Sequence, residues 1–234
     1  MAKSVYMAAA AVALGSLTAH GADFFDTSRP ESLLDLGVRL GVNTSTRNLN
    51  NDVFNVWNNN AWGTGVDAGL VADINFRDFF SIQPGIFFES RSGKYSYVNV
   101  DSYNEEGAPE MMMQFGRDRS YNLTVPIMAR FHFNVTEGLR WSVEMGPYLE
   151  LGLKNSVNGG FVYPVYMNPQ GTPVGYEPIK ARKSDFGLKF GTTFEVLGHY
   201  VVGVHYNAGW LHPWSEKALG GRNKTWVFSI GYDL

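Results

Sequence analysis

The sequence contains no cysteine. That excludes a disulfide framework and thiolate metal sites. It leaves the redox compartment open, because many exported bacterial proteins lack the residue. Net charge is also small: 19 basic against 22 acidic residues leave −3. No strongly basic face advertises nucleic acid, and no such partner is expected. Long apolar runs are missing too. The longest, Val5 to Leu17 ("VYMAAAAVALGSL"), is too short to cross a bilayer comfortably as a helix, which takes about 20 residues. No helical period organises the remainder. Catalytic and phosphate-binding motifs are equally scarce. There is no HExxH and no paired-histidine spacing. "GVDAG" and "GTG" are strand or turn glycines without the strand–loop–helix of a phosphate site. No cofactor and no metal is expected.

What is present begins with a leader. Lys3 supplies a positive start, Val5 to Leu17 a short apolar region, and "AHG" (Ala19 to Gly21) small residues before Ala22. Residues 1–21 therefore read as a signal peptide, with a buried N-terminal helix as the alternative. Residues 22–32 form a short polar lead-in. The remaining stretch, 33–234, suits one barrel or sandwich domain.

That stretch is dominated by strict alternation. In "LDLGVRLGVN" (Leu34 to Asn43), Leu34, Leu36, Val38, Leu40 and Val42 interleave with Asp35, Gly37, Arg39, Gly41 and Asn43. This is the mark of a strand with one apolar and one polar face. The pattern returns over 64–75, 80–89, 121–133, 139–153, 185–196, 200–210 and 225–234. The count is about eight strands, each of roughly ten or more residues, the length a tilted strand needs to cross a bilayer. Connections alternate in length. "FRDF" (76–79), "VTEG" (135–138) and "LGH" (197–199) are short; 44–61, 92–118, 155–183 and 211–223 are long. An all-β, eight-stranded antiparallel up-and-down transmembrane β-barrel produces this rhythm, with short periplasmic turns and longer extracellular loops.

Alternation alone also fits a secreted sandwich, in which the apolar faces meet inside. Three features favour lipid outside. First, Trp62, Phe76, Phe80, Phe88, Tyr121, Phe133, Trp141, Tyr200, Trp210 and Trp226 fall near the ends of the apolar rows. Rings at both ends of an aliphatic belt suit the two headgroup levels. Second, the polar face is rich in glycine, which weakens a solvent-facing strand but makes room inside a narrow barrel. The long neighbours that would fill that room have mixed sign: Asp35, Arg39, Asp67, Asp73, Glu89, Arg91, Arg130, Arg140, Glu144, Glu150, Asp185, Lys189 and Glu195. Enclosed charges must be paired or hydrated, so an ion-paired, hydrogen-bonded plugged polar lumen is expected. Third, the last strand stops on an apolar residue and can close the barrel, removing the unpaired edge that hydrocarbon does not tolerate.

The same residues resemble a family. "LGVRLGVN", "FSIQPGIFFESRSGKYS", "LTVPIMARFHF", "VEMGPYLELGL", "SDFGLKFGTTFEV" and "VGVHYNAGWL" look like successive strands of the PorT-like outer-membrane β-barrel family, common in Bacteroidetes. The resemblance covers about residues 33 to 234. It implies an outer-membrane location, a cleaved signal peptide, lipid and lipopolysaccharide as surroundings, and the barrel-assembly machinery as a partner during insertion. One founding member is associated with type IX protein secretion; no residue motif here marks that role. One departure is the ending "IGYDL", where barrel proteins often finish on phenylalanine.

The chemistry left to assign is thin. His132 and His205 fall on the polar face and read as hydrogen-bonded lumen residues rather than bases or ligands. Ser142 and Ser229 lie beside them in pattern, but nothing in the sequence selects either as a nucleophile. No catalytic residue is assigned. Met111, Met113 and Phe115 are expected to extend the fourth strand above the membrane and pack on Tyr95 and Tyr97. Loop 155–183 is expected to form an ordered lobe, and an extracellular ligand is expected at loops 92–118 and 155–183. The expected function is a non-enzymatic structural or surface-interaction barrel. The alternatives are a narrow porin-like channel, a lipid-modifying enzyme and a secretion accessory.

Overall fold

Strand residues alternate between two faces, so a chain made of such rows needs one environment for each. Here the sheet meets that need by closing on itself. The computed structural model describes residues 24–47, 61–103, 109–158, 162–167, 173–178, 182–212 and 221–234. Its strands are β1 (Leu34–Arg47), β2 (Ala61–Arg77), β3 (Phe80–Tyr103), β4 (Pro109–Thr136), β5 (Leu139–Asn158), β6 (Val162–Met167), β7 (Pro173–Pro178), β8 (Ser184–Val196), β9 (Tyr200–Gly209) and β10 (Asn223–Asp233). All but β6 and β7 form one closed barrel in the order β1-β10-β9-β8-β5-β4-β3-β2. Every pair in it is antiparallel, and β1 closes on β10 from Gly37↔Asp233 to Arg47↔Asn223. The eight-stranded antiparallel barrel expected from the alternation is present.

Short turns join the strands at one end, the turn end. The β8–β9 turn has two successive positive-φ residues, Leu197 (φ 54) and Gly198 (φ 72). That pair belongs to the tight hairpin turn whose twist matches the flanking strands. Gly138 (φ 75) serves the β4–β5 turn. The lead-in lies across this rim. Phe24 O accepts from Asn134 N (3.1 Å), Ser28 O from Asp78 N (3.3 Å) and Leu33 O from Asn75 N (3.0 Å). The Phe25 ring packs on Phe79 with centroids 4.4 Å apart.

The faces are inverted relative to a water-soluble domain. Leu40, Leu149 and Ile230 are 59%, 63% and 63% exposed, while Glu89 and Arg130 are 1% and 2% exposed. A sandwich would bury the first set and expose the second. Rings pair near both rims: Phe80–Phe131 (5.2 Å) and Phe133–Trp141 (5.2 Å) at the turn end, Phe186–Trp210 (5.3 Å) and Tyr206–Trp226 (4.8 Å) toward the loops.

Two segments placed in loops by the sequence carry strand instead. β3 and β4 run for 24 and 28 residues and stay paired out to Tyr103↔Pro109. Crossing a bilayer takes about 9–11, but nothing stops a ladder there when the next residues ("KYSYVNV") keep the aromatic and β-branched bias of strands. The expected extension of the fourth strand is real. The register, however, sets Met113 opposite Val98 and Met111 opposite Val100, not opposite Tyr95 or Tyr97. Within 155–183, β6 and β7 pair as a separate two-stranded sheet, from Val162↔Pro178 to Met167↔Pro173.

Candidate functional site

The inward rows meet inside a barrel too narrow to leave an open bore. Glycine supplies the floor for the large side chains. A methyl group at Gly69 or Gly85 would overlap the Phe87 ring, one at Gly191 would overlap His205, and one at Gly37 or Gly231 would overlap the Arg39–Asp233 pair. The bare backbone at these points lets long residues lie flat against the wall.

Toward the loops, Arg91 is held from both sides. Its Nε donates to Glu89 Oε2 (2.8 Å) and its Nη1 to Glu150 Oε2 (2.5 Å). At the loop rim, Asp185 accepts from Asn223 Nδ2 (2.8 Å) and from the Leu211 backbone N–H (3.1 Å). Asp67 is buried beside Gly41.

The centre is not uniformly polar, because the inward rows also carry apolar residues. Val71, Phe87, Met128 and Val227 are buried and, with Pro126, line the same mid-lumen cavity as Arg39, Arg130, Glu144 and Lys189. All five apolar residues stand on the inward rows. Lys189 Nζ lies over the Phe87 ring, and His205 Nε2 lies 3.5 Å from Glu144 Oε2. The cavity between these groups measures about 20 Å³, room for about one water molecule.

Below it, Asp73 gathers three donors: Arg130 Nη1 (2.6 Å), Gln83 Nε2 (2.7 Å) and Ser81 Oγ (3.1 Å). Arg130 Nη2 also donates to Thr193 Oγ1 (3.1 Å). The guanidinium thus ties β4 to β2 on one side and β8 on the other. His132 bonds Ser81 Oγ through Nε2 (2.9 Å) and Ser142 Oγ through Nδ1 (2.7 Å). Both serines are fully buried.

The lumen widens to about 410 Å³ at the turn end, among Asp35, Arg140, Glu195, Asp233 and lead-in residues Asp26 and Ser28 to Ser32. Asp35 accepts from Asn75 Nδ2 (2.7 Å), and Arg140 Nη2 donates to Asp78 Oδ1 (2.8 Å). Arg39 Nη1 and Nη2 donate to the two Asp233 carboxylate oxygens (2.6 and 3.1 Å). Of the sequence-selected residues, Arg39, Asp67, Asp73, Glu89, Arg91, Arg130, Glu144, Glu150, Asp185 and Lys189 are buried. Asp35, Arg140 and Glu195 are partly exposed at the mouth. The sequence list omitted Asp233, Asp78, Gln83, Ser81 and Thr193. Four of them occupy inward rows and were legible there; Asp78 lies in a turn and had no row to mark it. Among the described residues, no cluster of three or more His, Asp or Glu is placed to hold a metal ion.

Residues 24–210 match the family described as outer membrane protein beta-barrel domain. The chain belongs to that family. Its exposed apolar belt is therefore the lipid-facing surface of an outer-membrane barrel. Several solved barrels are similar at low identity. Ail, the attachment invasion locus protein of Yersinia pestis, is 12% identical with a TM-score of 0.40, over 87% of this chain and 100% of that one. The outer membrane protein OprG from Pseudomonas aeruginosa is 10% identical with a TM-score of 0.47, over 90% and 98%. Neisserial surface protein A is 11% identical with a TM-score of 0.38, over 85% and 96%. No curated protein matches the sequence.

Proposed function

We propose that this outer-membrane barrel is a non-enzymatic structural or surface-interaction protein with a plugged lumen. The observation that carries it is Arg130, 2% exposed, bonded to Asp73 and Thr193 beside a cavity of only about 20 Å³. An ion crossing here would have to displace a guanidinium from a buried carboxylate, which costs several kcal/mol. Planar-bilayer recording of the purified barrel tests this. No steady current is expected; a stable ohmic current would establish the narrow-channel alternative.

The absence of enzyme activity is supported by the place of the Ser–His contact. Ser142 and Ser81 flank His132 but have no exposed surface, so a lipid ester has no approach to either hydroxyl. Incubation with lipopolysaccharide and phospholipid should leave their masses unchanged.

Residues 1–21 are removed on export, so the mature chain isolated from membranes should begin at Ala22 by mass spectrometry. The assembly machinery inserts the barrel. Extracellular ligands meet the β3–β4 ribbon and the β6–β7 hairpin, the two elements that prolong the loop side. The PorT resemblance keeps a secretion accessory role as the alternative, tested by cargo export in a deletion strain.

A further inference from the structure

The outward row of β4 reads Val125, Leu123, Tyr121, Arg119, Arg117 from the apolar belt toward the loops. Arg117 and Arg119 are exposed, whereas Asp118 and Ser120 between them are buried on the lumen side. The neighbouring strands add cations at matching positions. Lys94 of β3 is exposed and sits opposite Arg117. On β5 a shift in register after Tyr121 brings exposed Lys154 opposite that ring. The Phe88 and Tyr121 rings stack beneath the group, 6.1 Å apart.

The level of this stripe can be read from strand geometry. At about 3.4 Å per residue and a tilt of about 40°, Arg119 and Arg117 stand about 5 and 10 Å above Tyr121 along the barrel axis. Aromatic rings mark the edge of the hydrocarbon, and the headgroup layer beyond it is about 5–8 Å deep on each side. Lys154, level with the ring, reaches the same layer by extending its stem upward. Arg119 and Lys154 therefore lie within the layer of the lipid phosphates, and Arg117 and Lys94 lie just above it, within reach of long side chains that bend toward it.

Among the described residues, they also lack an ion-paired counter-charge. Like charges directly opposite on a ladder are destabilising, and Lys94 faces Arg117. Glu89, Asp118 and Glu150 are buried on the other side of the wall. An anion supplied from outside would relieve the repulsion.

We propose that Lys94, Arg117, Arg119 and Lys154 form a binding site for the phosphate groups of outer-leaflet lipid on the outer wall of β3, β4 and β5. The site deepens the proposed association with outer-membrane lipid and rests on it; it does not depend on the plugged lumen. The test uses full-length protein in nonionic detergent, with thermal unfolding followed by loss of the fast-migrating gel band. Phosphorylated lipid A should raise the midpoint of the wild type. Dephosphorylated lipid A and inorganic phosphate should not. The variant K94Q/R117Q/R119Q/K154Q should need at least about tenfold more lipid for the same shift. Lys224→Gln, which removes a cation outside the stripe, beyond Trp226 on β10, should respond as wild type does. If the quadruple variant gives no fast-migrating band, R117Q/R119Q is measured instead. Equal shifts in wild type and variant would overturn the site. An equal response to dephosphorylated lipid would remove the role of phosphate. An equal response to inorganic phosphate would make it a general anion site and overturn the lipid assignment. Bilayer current reports on the plug separately, so the two ideas fail by different measurements.

Discussion

Lys189 Nζ lies 4.7 Å from the centroid of the Phe87 ring. A cation on β8 thus meets an aromatic face on β3, on the far side of two intervening strands. The ring can lie flat because Gly69 and Gly85 leave its bed empty. Cation–π contact of this kind is favourable, more so when desolvated, and it seals the lumen where the ionic layers are interrupted by apolar side chains.

Overfilling that bed should therefore unseat the ring. Gly69→Val is expected to lower stability by about 1–3 kcal/mol, read as the urea midpoint of the barrel refolded in micelles. An unchanged midpoint would show that the Phe87 ring is free to move.

Arg130 should be the most sensitive lumen residue. Arg130→Ala leaves the Asp73 and Glu144 carboxylates buried with less compensation, at a cost of about 3–5 kcal/mol. Asp73→Asn should cost less, because an amide oxygen in the Oδ2 place keeps Gln83 as a donor while the NH2 in the Oδ1 place can donate to Ser81 Oγ. Arg130→Ala should also produce measurable bilayer current where the wild type gives none.

Lipid on the outer wall predicts the reverse of the usual surface rule. Ile230 is 63% exposed in the isolated chain, so Ile230→Arg would be nearly silent in a water-soluble protein. In a bilayer the same change should cost about 2–4 kcal/mol if it sits near the midplane, measured by unfolding from vesicles. A silent substitution would argue against hydrocarbon contact there.

The β8–β9 turn offers a stabilising change. Leu197 occupies the left-handed region at φ 54, where a side chain of its kind carries about 1–2 kcal/mol of strain. Leu197→Asn creates the Asn-Gly pair that this turn favours. The thermal midpoint of the folded band should rise.

Ser142→Ala removes one of the two partners of His132. A buried ring nitrogen without a partner costs about 1–3 kcal/mol, so stability should fall. Hydrolysis of added lipid should be undetectable in both proteins; product from the wild type alone would assign Ser142 a catalytic role.

Much of this architecture was legible in the residue order. Period-two alternation identified the barrel strands, and the lengths between them gave the short-turn end. The inward charges could be picked out because Arg39 and Glu89 share rows with glycines and Arg130 shares one with Asn122, Thr124 and His132. Three kinds of information were not legible. The strand ends were obscured because β-propensity continues past the bilayer in β3 and β4, and membrane thickness sets no stop for a ladder. The alternation already set Val71, Phe87, Pro126, Met128 and Val227 on the inward rows, but only barrel closure shows that they meet as one apolar layer. Asp233 stands on the inward row, but its pairing with Arg39 follows only from the register that closes the barrel.

Taken alone, the order of residues determined which side chains share a face, how many strands the barrel has, and that one face is apolar and the other charged. It did so because the pleat alternates with a fixed period whatever the surroundings. Which charge meets which was decided only in three dimensions. Arg130 reaches Asp73 over one intervening strand, and Lys189 reaches Phe87 across the lumen. Such partners are set by barrel closure, stagger and diameter, and these follow from all the strands together.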